Sequence, residues 1–424
     1  MKLRLFCFLF LASALMGCAA TPPASRPDIG SAPPPTGQSQ TPASTETHRR
    51  ISPTPPPFVY RTASFDQLPD WQRADLAQAI KALEQSCTHW SLEAHTAPVS
   101  RQVRYAGQIA DWQPICAALD LIKDRQSARL IFEALFTPLE ILPKSKETPR
   151  FTGYYEPQIT ARKRPEFPYT HPIPALPRDL IWVDGGQIGK KRGTRVPAQR
   201  LPNGRMRAYP PRSDIRIRPD EILGYAHPSD VFFLQIQGSG RLVFKDGQII
   251  RAAYAAHNGH AFGSLANYLL RTGKISRGEA SMQGIRAWMD RVGRKEAEAA
   301  MNTNPRFVFF KASPLGHAAT GPAGAMSVPL TPLGSMAIDT GRHPLGIPFF
   351  VTTKAPGLGG QWSGVLIGQD TGGAIKGNVR GDIYYGTGEA AGQRAGTQNA
   401  PGRMWALLPN PVAIRLSRFS SPQS

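Results

Sequence analysis

The stretch QDTGGAIKGNVRGDIYYGTG, residues 369–388, sets two aspartates, Asp370 and Asp382, among glycines. A third, Asp339, closes the upstream run GSMAID. Carboxyl groups in such a setting can do three kinds of work. They can hold turns, since an Asp followed by Gly or Thr-Gly bonds its own backbone. They can ligate calcium, although a calcium loop carries more oxygen ligands at alternating positions than this stretch offers. They can also form an acid–base set, in which one carboxyl keeps its proton near neutral pH through burial or a nearby like charge. Gly372, Gly373, Gly377 and Gly381 permit the tight backbone that lets two acids converge and leaves room for a ligand. Lys376 and Arg380 work against the acid, because a cation close to Asp382 lowers its pKa.

Other side chains compete for the same chemistry. Glu156 in GYYEP is a rival acid, or simply a strand-end residue before a proline. The run LQIQGSGRL reads as a strand, and alternation then puts Gln235, Gln237 and Ser239 on one face. That face is either a ligand-binding wall or an ordinary solvated one. Tyr154, Tyr155 and Tyr254 could stack on a flat ligand, though core packing is the commoner fate of such aromatics. His257 and His260 lack ligand spacing with an acid, and there is no CxxC or HExxH pattern, so neither a metal nor a cofactor is expected.

The elements that must position these residues change along the chain. Residues 1–17 carry Lys2 and Arg4, then an apolar run too short to span a membrane comfortably, and read as a signal peptide. The run ends in Leu-Met-Gly-Cys, the form of a bacterial lipobox, so Cys18 is the expected lipidation site. No aspartate follows Cys18, which favours an outer-membrane lipoprotein facing the periplasm. Residues 18–57 are rich in Pro, Ser and Thr and poor in large apolar side chains, the composition of a disordered tether. Residues 65–142 show helical spacing at 74–83 and 120–135. From 151 on, prolines and glycines punctuate short alternating apolar runs, and IWVDGGQI and LVFKDGQII each read as a hairpin through Asp-Gly. Helical spacing returns at 264–272 and 276–292, then β character from 307 to 408. The chain reads as mainly β, with helices at two places.

Charge and cysteines narrow the partners. The net charge is +20, and residues 151–220 carry fourteen Lys plus Arg against six Asp plus Glu. A secreted chain meets no nucleic acid, so the excess points to acidic polymers or surfaces outside the cytoplasm. Once Cys7 leaves with the signal and Cys18 takes lipid, Cys87 and Cys116 remain. They form either a single disulfide, which an oxidising compartment favours, or two buried thiols.

Several segments together resemble one family. They are FTGYYEP (151–157), VFFLQIQGSGRL (231–242), YAAHNG (254–259), NPRFVFF (304–310), GPAGAMSVPLTPLGSMAID (321–339) and the opening stretch. The resemblance is to the membrane-bound lytic murein transglycosylase A family, with a C-terminal three-aspartate domain. It implies a double-psi β-barrel with a second, smaller β-barrel inserted and a groove between them. Residues 58–155 plus 250–415 would form the first domain and 156–249 the insertion. It implies a peptidoglycan lytic exotransglycosylase, a lyase cleaving the β-1,4 bond between N-acetylmuramic acid and N-acetylglucosamine with 1,6-anhydro ends. By position, Asp382 would be the catalytic acid and base, with Asp370 and Asp339 supporting it. Gln235, Gln237, Ser239, Tyr154, Glu156 and Lys376 would contact sugar. The partners would be glycan strands, the membrane through the lipid anchor, and cell-wall synthesis or division proteins. The rival readings are a hydrolase on the same barrel and a wall-binding lipoprotein without catalysis.

Overall fold

A computed structural model describes residues 54–315 and 320–418. The signal peptide, Cys18 and all but the last residues of the expected tether lie outside the described residues. The chain enters through a short strand, β1 (Tyr60–Thr62), and then three helices: α1 (Ala77–Trp90), α2 (Ile109–Leu119) and α3 (Arg125–Leu135). In α1, Ala79, Ala82, Leu83, Ser86 and Trp90 recur at helical spacing and are buried. The helical pattern read from residue 120 begins at Arg125, because the Asp124 carboxylate caps the helix by accepting from Ser127 N at 2.7 Å. Cys87 and Cys116 are joined with their Cα atoms 5.6 Å apart, tying α1 to α2.

These helices cover a nine-stranded mixed sheet. Its members are β1, β2 (Phe136–Ile141), β3 (Arg150–Glu156) and five longer or shorter strands from the C-terminal half, completed by a two-residue piece at one edge.

Between β3 and that C-terminal half lies a second body of structure. It contains β4 (Gln158–Ala161), β5 (His171–Pro174), β6 (Leu180–Asp184), β7 (Arg195–Arg200), β8 (Met206–Ala208) and β9 (Ile222–Ala226). Helix α4 (Pro228–Gln237), β10 (Gly240–Phe244) and β11 (Ile249–His257) follow. Helices α5 (Leu265–Arg271), α6 (Met282–Val292) and α7 (Arg294–Met301) then lead to β12 (Val308–Ser313). Strands β12-β11-β10-β4 form one sheet, with β10 parallel to β4; β5 pairs with β9, and β6-β7-β8 form a third sheet. The boundary expected at Ile249 therefore falls inside a sheet. Lys245–Gln248 turn β10 directly into β11, with Gly247 at φ +83°, so the chain on both sides of 249 belongs to one four-stranded sheet.

Two local readings change. Residues 228–237 are helical, not strand. Pro228 sits at the first helical position and Gly238 ends the helix at φ +86°, the usual start and stop signals. The run misleads because both sides of α4 are buried: Val231 and Leu234 face one core, Phe232 and Phe233 another. An apolar run without a polar side does not reveal its period. The second change is at IWVDGG, where Asp184 caps Gly186 N and Gly193 N and the chain loops through 185–194 before β7 pairs back.

The C-terminal half supplies β13 (Ser335–Ile338), β14 (Pro348–Ala355), β15 (Gly360–Asp370) and β16 (Arg380–Thr387). Then come α8 (Glu389–Gly396), β17 (Asn399–Ala400), β18 (Gly402–Pro409) and α9 (Asn410–Ser417). The large sheet runs β1-β2-β18-β14-β15-β13-β16-β3-β17, with β13–β15 and β16–β3 parallel. Its centre is apolar on both faces: Phe349, Phe350, Val351, Leu366, Ile367 and Ile383 are fully buried. Among the described residues no helix is long and apolar enough to cross a membrane.

Candidate active site

Strand register brings the acids together. Ala337 of β13 pairs with Asp370 on one side and Asp382 on the other, and Asp382 pairs in turn with Thr152 of β3. Two strand spacings separate the backbones of the two aspartates, about 10 Å. A bulge in β15 sets this row, because the register slips between Met336 and Ala337. Gln369 turns into the core, where its amide donates to Ala82 O and Ser86 Oγ and accepts from Ser335 Oγ.

Asp382 lines a cavity of about 220 Å³. One wall is Thr152, Arg380, Asp382 and residues 372–375; the other is Arg212, Gln235, Ile236, Phe262, Asn304 and Arg306. The cleft thus runs between the large sheet and the inserted strands and helices. Thr152 Oγ1 donates to Asp382 Oδ1 at 2.5 Å and accepts from Arg380 Nη2 at 2.8 Å. Burial raises the Asp382 pKa, and it outweighs the opposing pull of Arg380, the Thr152 hydroxyl and Arg150. The cation that the sequence set against the acid is present, but burial wins.

Asp370 is fixed rather than free. Tyr154 Oη donates to its Oδ2 at 2.9 Å, and Ala325 N donates to its Oδ1 at 3.0 Å. Burial pushes its pKa up to about 6, despite the hydrogen bonds from Thr371, Tyr154 and Ala325; the like charge of Asp382 adds to the rise. Asp339 holds the glycine loop: Oδ2 accepts from Gly377 N at 3.0 Å, and Oδ1 from Gly341 N at 3.1 Å. Burial would raise its pKa, but these N–H groups and Lys376 hold it below the usual carboxylate range. Nearby, buried His343 is pulled down to about 4 by burial and sits between Tyr105 Oη and Asn378 O.

The other expected contacts are sorted by burial. Glu156 is fully buried and does not line the cavity. Its oxygens accept from Arg241 Nε at 2.9 Å, Arg251 Nε at 2.5 Å and Thr387 Oγ1 at 2.9 Å. It is a structural ion-pair centre between the two bodies, because two guanidinium groups enclose it. Gln235 is at the cavity wall, but it accepts from Arg212 Nη1 at 2.5 Å and donates to Val308 O at 3.1 Å. Gln237 is half-buried and accepts from Tyr155 N at 3.2 Å, away from Gln235 on the helix. Ser239 lies in the turn after α4. Helical geometry, at 100° per residue, removes the shared face that alternation gave them. Tyr154 points at Asp370, and Lys376 is exposed beside Asp339 at 3.4 Å, outside the cavity lining. Among the described residues no group of three or more His, Cys, Asp or Glu is arranged to hold a metal.

The sequence reading missed Arg212, Asn304, Arg306 and Phe262. Arg212 donates to Asn304 O, Gln235 Oε1 and Arg306 O, and burial lowers its pKa to about 9. The available signal was a charged or amide side chain entering an apolar run, as in NPRFVFF.

A carboxyl whose pKa burial raises, set in a polar cleft between two mixed β bodies, is a setting suited to acid–base chemistry. Residues 150–311 match the family model described as the MltA specific insert domain, and 334–408 match the 3D domain. The chain is 34% identical over 274 residues to membrane-bound lytic murein transglycosylase A of Escherichia coli K12, covering 62% of this chain and 67% of that protein. A solved membrane-bound lytic murein transglycosylase from Agrobacterium tumefaciens superposes with TM-score 0.74 at 28% identity, over 85% of this chain and 100% of that one. Escherichia coli MltA with bound chitohexaose matches with TM-score 0.58 at 25% identity, over 88% and 99%. The chain belongs to the membrane-bound lytic murein transglycosylase A family.

Proposed function

We infer that the protein is a peptidoglycan lytic transglycosylase. It cleaves the β-1,4 bond between N-acetylmuramic acid and N-acetylglucosamine and leaves 1,6-anhydromuramoyl ends. One observation carries the chemistry: Asp382 is the only carboxylic acid among the described residues that line the cleft cavity. A hydrolase of the common type needs a second carboxyl across the bond, to act as base or nucleophile. The facing wall offers Arg212, Gln235, Asn304 and Arg306 instead. Intramolecular transfer needs one carboxyl, because the nucleophile is already part of the substrate.

In this reading the protonated Asp382 donates to the glycosidic oxygen as the bond from C1 to that oxygen breaks. The C6 hydroxyl oxygen of the same muramoyl residue bonds to C1. Its proton passes to the Asp382 carboxylate, which restores the acid; no water is consumed. Thr152 orients Asp382. Asp370 and Asp339 hold the strand end and the glycine loop that frame it. Relatives named for murein cleavage, and one with bound chitohexaose, support a glycan substrate.

The same reading extends to the fold and the address. Only Pro401 separates β17, which pairs with β3, from β18, which pairs with β14. Taken as one bent strand, they join the ends of β14-β15-β13-β16-β3 into a six-stranded ring, which supports a double-psi β-barrel. The inserted domain is then best taken from β4 to β12. The lipobox at Cys18 and the membrane-bound relatives support a lipid-anchored protein facing the periplasm.

Mass spectrometry of sacculi digested by the purified protein tests the activity. Anhydromuramoyl ends are expected. Reducing ends would identify a hydrolase, and intact sacculi a binding module.

A further inference from the structure

A second concave site lies far along the inserted body, where β4 and β10 leave their sheet side by side. The two strands are parallel, and their last paired residues are Ala161 and Phe244. Two loop tips therefore emerge at the same sheet end. Between them is a cavity of about 520 Å³, lined by Arg162, Lys163, Arg164, Lys245 and Phe244 among others. Two of its cations are matched: Arg162 lies 3.3 Å from Glu166, and Lys163 2.7 Å from Asp246. Arg164 and Lys245 are exposed and belong to no ion pair among the described residues.

The first tip also carries an apolar point. Phe167 is 89% exposed, unusual for a phenyl ring. Its base is firm. Arg162 and Tyr225 exchange backbone hydrogen bonds of 2.8 Å, the Arg162 guanidinium stacks over Tyr169 at 4.3 Å, and Glu166 N donates to Tyr169 O at 3.1 Å. An exposed aromatic side chain on a braced loop, beside unmatched cations and a recess roomy enough for a phosphate headgroup, is suited to an interface that is anionic outside and apolar beneath.

We propose that these two loop tips form a direct contact with an anionic phospholipid surface. The recess takes the headgroup phosphate against Arg164 and Lys245, and Phe167 enters the acyl boundary. This contact is separate from the lipid anchor proposed at Cys18, and it fixes which way the tethered enzyme faces. An acidic peptide would engage the cations equally well, but it gives no reason for a phenyl ring 89% exposed at the tip.

The full chain carrying Cys18→Ala removes the anchor from the measurement. Its co-sedimentation is compared on vesicles of equal parts phosphatidylglycerol and phosphatidylcholine and on phosphatidylcholine alone. Binding to the anionic vesicles is expected, with little on the neutral ones. Phe167→Ser should weaken it on the order of tenfold, from lost apolar burial. Arg164→Glu with Lys245→Glu should weaken it tenfold or more. All three positions are exposed, so melting temperature and cleavage of soluble glycan fragments should stay unchanged, which separates this test from that of the catalytic reading. Binding that ignores Phe167 and both charge reversals would reflect the overall charge of +20 alone and overturn the proposal. Binding to isolated sacculi in place of vesicles would overturn it too.

Discussion

In the proposed mechanism Asp382 works as an acid only while it holds its proton, and burial raises its pKa against the pull of Arg380 and Thr152. Asp382→Asn keeps the size and one acceptor for Thr152, so thermal unfolding should change little. Turnover should fall by at least a hundred- to ten-thousandfold, because one group performs both proton transfers. The first step needs the protonated form, so the rate should fall as pH rises through the raised pKa of Asp382; a rate that climbs through neutrality would remove it as the acid. Asp370 gives a stability counterpart. Its pKa is about 6 in the fold and about 3.9 unfolded. The folded state binds the proton more tightly, so this contribution is full below about pH 4 and is lost as pH rises through about 6. Asp370→Asn should flatten the fall in melting temperature between pH 4 and 7. Asp370 and Asp382 stand out in the sequence as acids in a glycine-rich stretch, but grouping them with Asp339 in one site rested on the family resemblance. Thr152 was not legible, because it meets Asp382 across 230 residues of chain through a parallel register. The ion pairs of Glu156 were hidden for the same reason: its two arginines lie 85 and 95 residues away.

Among the elements, β3 carries the most connections. It pairs with β16 in the large sheet, supplies Thr152 to the cleft, and ends in Glu156, whose partners lie on β10, β11 and β16. One buried carboxylate therefore joins the two bodies that form the cleft walls. Glu156→Gln leaves Arg241 and Arg251 facing a neutral amide, and should cost about 3–5 kcal/mol in urea unfolding. Cleavage per folded molecule should survive; a folded but inactive variant would return Glu156 to the list of catalytic acids. The bridge between α1 and α2 closes a loop of 29 residues, so replacing Cys87 and Cys116 by Ala should cost about 3–4 kcal/mol by loop-closure entropy. Denaturant midpoints with and without reductant check this. Element types were readable where one face is polar, as in α1 and the KDG hairpin. They were unreadable in α4, which is apolar on both sides, and the large sheet's parallel pairings left no local mark at all.

At the scale of the whole molecule, the role proposed for charge is substrate capture. The excess of Lys and Arg over 151–220 is carried largely on the surface: Lys190, Lys191, Arg192, Arg195, Arg200, Arg205 and Arg207 are all exposed around the β6-β7-β8 sheet. That sheet belongs to the inserted body, which also forms one wall of the cleft. Peptidoglycan stem peptides carry carboxylates, so a basic face beside the cleft raises the local substrate concentration and the on-rate without touching the chemical step. Exposed charges act through water, and their reach shrinks from about 10 Å at 0.1 M salt to about 3 Å at 1 M. Cleavage of whole sacculi should therefore slow as salt rises, through KM and not kcat. The part-buried pair of Asp382 and Thr152 should not respond. Replacing Arg192, Arg195, Arg205 and Arg207 by Gln should lower the rate at low salt and leave less for salt to remove, without moving the pH profile. Progress curves on sacculi at several ionic strengths measure both effects. A salt response that persists undiminished in the fourfold variant would locate the capturing charge elsewhere on the surface.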